Sequence, residues 1–279
     1  MRLALIANEA SGGGVSPEVL ARDLRRHGVE VTVHSIADRA AAERDDADRI
    51  VIAGGDGSVG LGADLAGRLG VPLAVIAAGT ANDFARAHDL PTEREESIEL
   101  AARGTRTRSL ELGRLGGRPF VNVASAGLAP IAARHAQAHK QLLGPLAYLV
   151  GAARAGLTAS PVRCAVHADG QPVYAGEAWQ VIVSVSGAFG GGSSVDEADP
   201  GDGRLHVTVV PAGSRLGLVR RAAGMRRGDI ADQPGVVDAE GAEMDLQLED
   251  GAEVNLDGEV CGPGHITVQR AAFSLVVGL

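Results

Sequence analysis

Residues 54–58 read Gly-Gly-Asp-Gly-Ser and lie between a predicted strand and a predicted helix. Glycines allow the backbone to approach phosphate oxygens, and the N–H groups at a helix N-terminus attract an anion. The Asp56 carboxylate would repel a bare phosphate, so it favours a bridging Mg²⁺ or a hydrogen bond to a hydroxyl. The loop is therefore typical of phosphate binding, and the alternative is a sharp strand–helix turn without a ligand.

A second polar loop, residues 79–84, also follows a predicted strand. Thr80 and Asn82 offer neutral hydrogen-bonding groups, and Asp83 offers a carboxylate. The same residue types are common helix caps, so capping is the alternative interpretation. This loop by itself does not decide between binding and capping.

Two acidic segments lie in the C-terminal half of the chain. Asp257 and Glu259 are two residues apart, and on a strand they would point to one side. Such a pair can share a proton, bind a cation or act as a general base, whereas Asp-Gly is also a common hairpin turn. Residues 196–203 place several carboxylates in a Pro/Gly loop, which suits Mg²⁺ or Ca²⁺, with a solvated acidic turn as the alternative.

The elements that position the first two loops alternate between strand and helix up to about residue 105. Helices are expected between apolar runs that predict strands over residues 3–7, 29–36, 49–53 and 72–77. This alternation indicates a parallel sheet with helices on both faces. Ligands of such sheets lie beyond the carboxyl ends of the strands, where both loops fall.

After residue 105 the pattern changes to short strands separated by glycine-rich turns, which indicates a mainly antiparallel second domain. The predicted strands span residues 107–115, 120–126, 162–168, 179–185, 205–210, 244–248, 253–256 and 266–269. A last apolar strand over residues 273–277 is not assigned to either domain by its pattern.

The composition excludes several classes of protein. The 279 residues carry a net charge of −9, which disfavours nucleic-acid binding because that function needs a basic face. Two cysteines outside any CxxC pair predict a reduced, cytoplasmic setting. The N-terminal apolar run is too short for a signal peptide, and no apolar run reaches the roughly 20 residues of a membrane span.

Four segments together resemble the diacylglycerol kinase catalytic family, which includes bacterial lipid kinases and sphingosine kinases. In chain order they are Asn8 with Ser11-Gly12-Gly13, the loop at 54–58, residues 79–86 (Gly-Thr-Ala-Asn-Asp-Phe-Ala-Arg) and Asp257-Gly258-Glu259. Residues 120–127, 144–148 and 190–192 match as well, so the resemblance covers nearly the whole chain.

The resemblance implies a fold of two domains. Residues 1–118 are expected to form a three-layer α/β/α nucleotide-binding domain with a parallel sheet, to which 271–279 return as the last strand. Residues 119–270 are expected to form a mainly antiparallel β-sandwich that binds the lipid substrate. The implied reaction transfers the γ-phosphate of ATP to the hydroxyl of diacylglycerol or a similar lipid, in a cleft between the domains.

The resemblance also implies site residues. Glu259 is the expected base, Asp257 its orienting or metal partner and Asp56 a Mg²⁺ ligand, although the choice of base between Asp257 and Glu259 stays open. A structural Mg²⁺ is expected at Asp199, Asp202 and the backbone carbonyl of Arg204. The expected nucleotide-binding residues are Asn8, Ser11, Gly12, Gly13, Ser35, Gly54, Gly55, Asp56, Gly57, Ser58, Val59, Gly60, Gly79, Thr80, Asn82 and Asp83.

Three residues depart from the family pattern. Ser58 replaces Thr and keeps the hydroxyl, Glu9 replaces Pro, and Ser186 replaces Asn before the glycine run. An NAD kinase shares the GGDG loop but not residues 79–86, and it is one alternative. A nucleotide-binding regulatory module without catalysis is the other.

The expected partners are ATP and a lipid at a membrane surface, in bacterial phospholipid metabolism. Peripheral association with the inner face of the membrane and formation of a homodimer are left open. Residues 215–227 mix apolar and basic side chains, which suits docking on anionic lipid, with a surface helix of solvated arginines as the alternative.

Overall fold

The chain divides into two compact units. Met1–Leu112 and Arg270–Leu279 form the first unit, and Gly113–Gln269 forms the second. The computed structural model describes residues 1–8, 16–128, 160–189, 193–194, 201–214, 233–262 and 264–279.

The first unit contains a parallel sheet, as its apolar strands predict. Four strands lie in the order β4, β3, β1 and β2, and all neighbours are parallel. Their bounds are β1 (Arg2–Ala7), β2 (Glu30–Ser35), β3 (Arg49–Gly54) and β4 (Leu73–Ala77). Every residue of β3 is buried, as expected of a central parallel strand covered on both faces.

The helices of this unit follow their strands. Helix α1 (Pro17–Arg25) begins at a Ser16 cap, whose hydroxyl accepts a hydrogen bond of 3.4 Å from the Val19 N–H. Between β2 and β3, where the sequence predicts a helix, lies a 3₁₀ helix (Ile36–Arg44) with a kink at Asp38. The remaining helices are α2 (Asp56–Leu69), α3 (Asp83–Ala87) and α4 (Arg94–Arg103).

The second unit is mainly antiparallel. Its central strand β9 pairs with β7, β8 and β12, and a buried cluster that includes Phe120, Val183 and Met244 forms its core. Strand β5 (Arg106–Leu115) begins in the first unit and ends in the second. The following strands are β6 (Arg118–Phe120), β7 (Val123–Gly127), β8 (Val162–Ala168), β9 (Gln171–Ser184), β10 (Ala188–Phe189), β11 (Ser193–Ser194), β12 (Leu205–Pro211), β13 (Val237–Gly241), β14 (Glu243–Leu248), β15 (Val254–Leu256) and β16 (Glu259–Cys261).

The last strand, β17 (His265–Gly278), belongs to both units. Its first residues pair antiparallel with β14 of the second unit, where Ile266 lies opposite Met244. Its later residues pair parallel with β4 of the first unit, where Leu275 lies opposite Leu73. The expected return of the chain end to the first domain is therefore confirmed. No helix within the described ranges is long and apolar enough to cross a membrane.

Candidate functional site

The first glycine loop joins β3 to α2. Strand β3 ends at Gly54, Gly55 is the N-cap residue of α2, and the 14-residue helix begins at Asp56. No side chain of the described residues caps this helix. The N-cap residue Gly55 brings no side-chain oxygen to the first N–H groups of the helix, and a helix N-terminus favours an anion.

The second glycine loop contacts the first through backbone atoms. A Cβ built on Gly79 would lie 2.6 Å from the Gly55 Cα, and a Cβ on Gly55 would lie 3.2 Å from the Gly79 Cα. A side chain at Gly79 would therefore push the loops apart. The two polar loops, which the sequence placed at the ends of neighbouring strands, meet in the structure.

Asp56 connects the same two loops at a second point. Its Oδ1 accepts a hydrogen bond of 2.8 Å from the backbone N–H of Phe84, so the start of α2 is tied to the start of α3. The carboxylate is partly buried. One of its oxygens therefore has a structural role in addition to any role in catalysis.

The polar residues of the second loop have different environments. Asn82 is left-handed (φ 52°), and its side chain bonds to Gly79 through both Oδ1 (2.8 Å to the N–H) and Nδ2 (3.2 Å to the carbonyl). Asp83 is buried, with its carboxylate 3.9 Å from the Arg86 guanidinium. Thr80 is exposed. Of these three residues, Thr80 has the side chain that is most accessible to solvent or to a ligand.

Asn8 and Ser58 form a contact behind the first loop. The Asn8 side-chain amide donates a hydrogen bond of 3.0 Å to the Ser58 hydroxyl, which is buried. A Cβ on Gly54 would lie 2.7 Å from this hydroxyl oxygen, so Gly54 leaves the room that Ser58 occupies. These contacts give Asn8 and Ser58 a packing role, and Val59 and Gly60 are buried in α2.

Other expected nucleotide-binding residues are described in part. Ser35 caps the 3₁₀ segment, because its hydroxyl accepts a hydrogen bond of 3.2 Å from the Asp38 N–H. Ser11, Gly12 and Gly13 lie outside the described residues, as do Glu9 and residues 190–192 and 215–227.

In the second unit, Asp257 lies in a turn and not on a strand. Leu256 of β15 pairs with Glu259 of β16, so Asp257 and Gly258 form the two-residue loop of a hairpin. Both have positive φ (47° and 95°), as a type I′ turn requires. The expectation that Asp257 and Glu259 lie on one face of a single strand is thus wrong, because the chain reverses between them.

The Asp257 carboxylate binds three consecutive backbone N–H groups. Its Oδ2 accepts from Val121 (2.8 Å), and its Oδ1 accepts from Asn122 (3.1 Å) and Val123 (2.9 Å). One strand was expected over residues 120–126, but these hydrogen bonds fall at the break between β6 and β7. Asp257 therefore fixes the path of a distant segment.

Glu259 has a different partner. Its Oε2 lies 2.8 Å from the Arg118 guanidinium, and the two side chains are 58% and 50% exposed. An ion pair this exposed contributes little to stability and separates readily. The two carboxylates thus differ in role: Asp257 is held by the backbone, and Glu259 faces solvent beside a cation.

The acidic loop is described only in part, because Asp199 lies outside the described residues. The Asp202 Oδ1 accepts a hydrogen bond of 2.8 Å from the Arg204 N–H, and the Arg204 side chain pairs with Glu240 at 2.9 Å. Within the described part of the chain, no group of three or more His, Cys, Asp or Glu side chains is arranged to hold a metal ion. The Mg²⁺ expected at this loop stays a prediction.

Comparison with known proteins gives the family. Residues 2–115 match the model of the diacylglycerol kinase catalytic domain, and residues 122–277 match that of the YegS C-terminal NAD kinase beta sandwich-like domain. The chain belongs to the diacylglycerol kinase family. The resemblance of the sequence motifs is thereby confirmed, and so is the fold of an N-terminal α/β domain with a C-terminal β-sandwich-like domain.

The chain can be aligned with other proteins of the family over most of its length. It is 27% identical to a diacylglycerol kinase of Bacillus subtilis (95% of this chain, 92% of the relative) and 31% identical to a YegS-like lipid kinase of Pseudomonas aeruginosa (75% and 69%). A crystal structure of a diacylglycerol kinase from Bacillus anthracis superposes with a TM-score of 0.79 at 20% identity, covering 99% of this chain and 97% of that one. Yeast NADH kinase shares the fold more distantly, with a TM-score of 0.52 at 11% identity.

Several residues of this kinase family member were not singled out from the sequence. Arg118, the partner of Glu259, is an ordinary turn residue in the linear pattern. Glu111 is buried between Leu110 and Leu112, and the sequence signal that could have found it is a carboxylate flanked by two leucines. Asn122 is buried as well, and its Oδ1 accepts a hydrogen bond of 3.0 Å from Ser186, so the serine that replaces the family Asn bonds within the second unit.

Proposed function

We propose that this protein transfers the γ-phosphate of ATP to the hydroxyl of a lipid, diacylglycerol or one similar to it. The observation that carries the proposal is the meeting of two glycine loops beside an uncapped helix N-terminus, in a chain of the diacylglycerol kinase family. A helix start of this kind offers N–H groups to phosphate oxygens, and glycines let those oxygens approach. Phosphoryl transfer depends mainly on such positioning and on neutralising charge.

In this proposal the first unit binds the nucleotide. The backbone of residues 54–57 and the exposed Thr80 hydroxyl would hold the phosphates, while Asn8 and Ser58 support the loop from behind. The Asp56 carboxylate is the group that suits a Mg²⁺ ion, which would neutralise charge on the phosphates when bound. Carboxylate oxygen is a ligand type that Mg²⁺ prefers, so the residue type fits.

The second unit would supply the base, and we assign that role to Glu259. A base needs a carboxylate that a substrate can reach. The Asp257 oxygens accept three backbone hydrogen bonds, so they are poorly suited to take a proton. Glu259 is more than half exposed and would accept the proton of the attacking lipid hydroxyl. Asp257 would orient it through the shared hairpin.

A direct test offers several acceptors to the purified protein at once. The protein is incubated with ATP labelled in the γ-phosphate, diacylglycerol in vesicles, a total lipid extract and NAD, and the labelled products are separated. We expect label in a phosphorylated lipid. Label in NADP would favour an NAD kinase, and ATP binding without any labelled product would favour a regulatory module.

A further prediction concerns the membrane. Docking through residues 215–227 would make binding stronger on anionic vesicles than on neutral ones, and added salt would weaken it. Equal binding to both vesicle types would rule docking out.

The formation of a homodimer likewise stays a prediction, and sedimentation of the purified protein tests it.

A further inference from the structure

We infer that Asn82 is a positioning residue, which shapes the phosphate-binding loops without touching the nucleotide. The inference rests on the proposed function and gives this side chain a role other than the nucleotide contact that the family resemblance implies. Both hydrogen bonds of the Asn82 amide go to one residue, Gly79. The Oδ1 accepts from the Gly79 N–H and the Nδ2 donates to the Gly79 carbonyl, so the side chain closes a ring with its own loop.

The backbone of Asn82 supports the same arrangement. Its φ of 52° and ψ of 43° lie in the left-handed region, where Asn is tolerated much better than most residues with a side chain. This conformation turns the chain sharply, which brings the side-chain amide back over Gly79. A glycine would keep the backbone conformation but would lose both hydrogen bonds, so the two contributions can be separated by substitution.

The position of Gly79 in turn determines the position of Gly55. The two glycines are in direct backbone contact, and an added Cβ on Gly79 would lie 2.6 Å from the Gly55 Cα. Gly55 is the N-cap of α2, where the phosphates would bind. A shift of Gly79 by a few tenths of an ångström would therefore change the geometry of hydrogen bonds to phosphate, which weaken with distance and angle.

The loop is anchored at both of its ends. Gly79 contacts Gly55 at one end, and the Phe84 N–H donates to Asp56 at the other. Asn82 lies between these anchors and sets the shape of the chain that joins them. Its amide also occupies the Gly79 N–H, so that N–H is already used within the loop.

The test uses Asn82→Gly, with Asp89→Gly as its matched control. Asp89 is also a left-handed residue (φ 54°), is exposed and lies outside the loops. We expect Asn82→Gly to raise the Kd for ATP about tenfold, because small misplacements at a binding site are costly. Asp89→Gly should bind ATP as the wild type does. The hydrogen-exchange rate of the Gly79 amide should be higher than in the wild type for Asn82→Gly and the same as in the wild type for Asp89→Gly.

A double-mutant cycle separates positioning from direct contact. Gly55→Ala disturbs the same backbone contact, so in that background Asn82→Gly should weaken ATP binding less than twofold. A full tenfold loss in that background, or unchanged Gly79 exchange in Asn82→Gly, would overturn the inference. Wild-type protein that binds no ATP would instead overturn the proposed function, so the two failures are distinguishable.

Discussion

Asp257 accepts a hydrogen bond of 2.8 Å from the backbone N–H of Val121, although 136 positions separate the two residues in the sequence. The same carboxylate also accepts from Asn122 and Val123, which lie in buried positions. These three hydrogen bonds lie at the break between β6 and β7. Asp257 therefore joins the hairpin that carries Glu259 to the segment that carries Arg118.

The first prediction concerns the stability that Asp257 provides. Asp257→Ala removes the acceptor of three N–H groups, and buried donors without a partner are costly. We expect the free energy of unfolding to fall by about 2–3 kcal/mol. Glu259→Ala is the control, and its exposed ion pair should contribute less than about 1 kcal/mol. Equal losses in the two variants, measured by urea denaturation, would contradict the structural role of Asp257.

The second prediction separates the two roles of Asp56. Asp56→Asn keeps an oxygen that can accept from the Phe84 N–H but loses the negative charge, whereas Asp56→Ala loses both. We expect kcat to fall at least about 100-fold in both variants, because electrostatic groups at a reacting phosphate contribute strongly. Only Asp56→Ala should also lower the Tm. Wild-type turnover in Asp56→Asn would remove the charge of Asp56 from the reaction.

The third prediction concerns Arg118. Its guanidinium lies 2.8 Å from the Glu259 carboxylate, and this contact, although it separates readily, favours one orientation of the base. Arg118→Ala should therefore lower kcat about fivefold, since orientation of reacting groups contributes to rate. The substitution should leave stability within about 1 kcal/mol. Arg163 forms a longer, more exposed pair with Glu177 and is the matched control, with no change of kcat expected. An Arg118→Ala enzyme with wild-type kcat would show that the ion pair is incidental.

The fourth prediction concerns pH and His88. Burial, with a smaller contribution from the charge of Arg108, lowers the pKa of His88 from 6.5 to about 4, and its ring packs 4.4 Å from the ring of Phe84. Unfolded His88 therefore binds a proton below pH 6.5, while folded His88 stays neutral down to about 4. The contribution of neutral His88 to the free energy of unfolding is fully present above pH 6.5. It is lost as the pH falls towards 4, and the loss amounts to about 3 kcal/mol. Relative to the wild type, His88→Leu should lose correspondingly less stability between these pH values, and parallel unfolding curves would contradict this.

The local pattern of the sequence was sufficient for the parallel sheet of the first unit. The strands of its sheet are continuous apolar runs, and glycines mark the points where β3 and β4 end. Helix α4 was not expected, because its apolar positions (such as Ile98) are sparse among charged residues. Its helical state depends on packing that the local pattern does not contain.

The second unit depends more on distant contacts. The break after Phe120 could not be read from residues 120–126, which are mostly apolar. It coincides with the hydrogen bonds from Asp257, more than 130 positions away. Strand β9 begins eight residues earlier than expected, because its first half is less buried than its second half and contains Pro172 and Gly176, which are unfavourable in strands. The Asp257-Gly258 turn was recognised only as an alternative, since the same two residues also suit a catalytic motif.

The most direct measurement follows one turnover of labelled ATP with diacylglycerol in vesicles, for the wild type and for Glu259→Gln. We expect the wild type to place the label in phosphorylated lipid. Glu259→Gln should do so at least about 100-fold more slowly, as expected for loss of a general base, with unchanged affinity for ATP. Transfer at the wild-type rate by Glu259→Gln would contradict the role of Glu259, and wild-type enzyme that hydrolyses ATP but labels no lipid would contradict the lipid-kinase function itself.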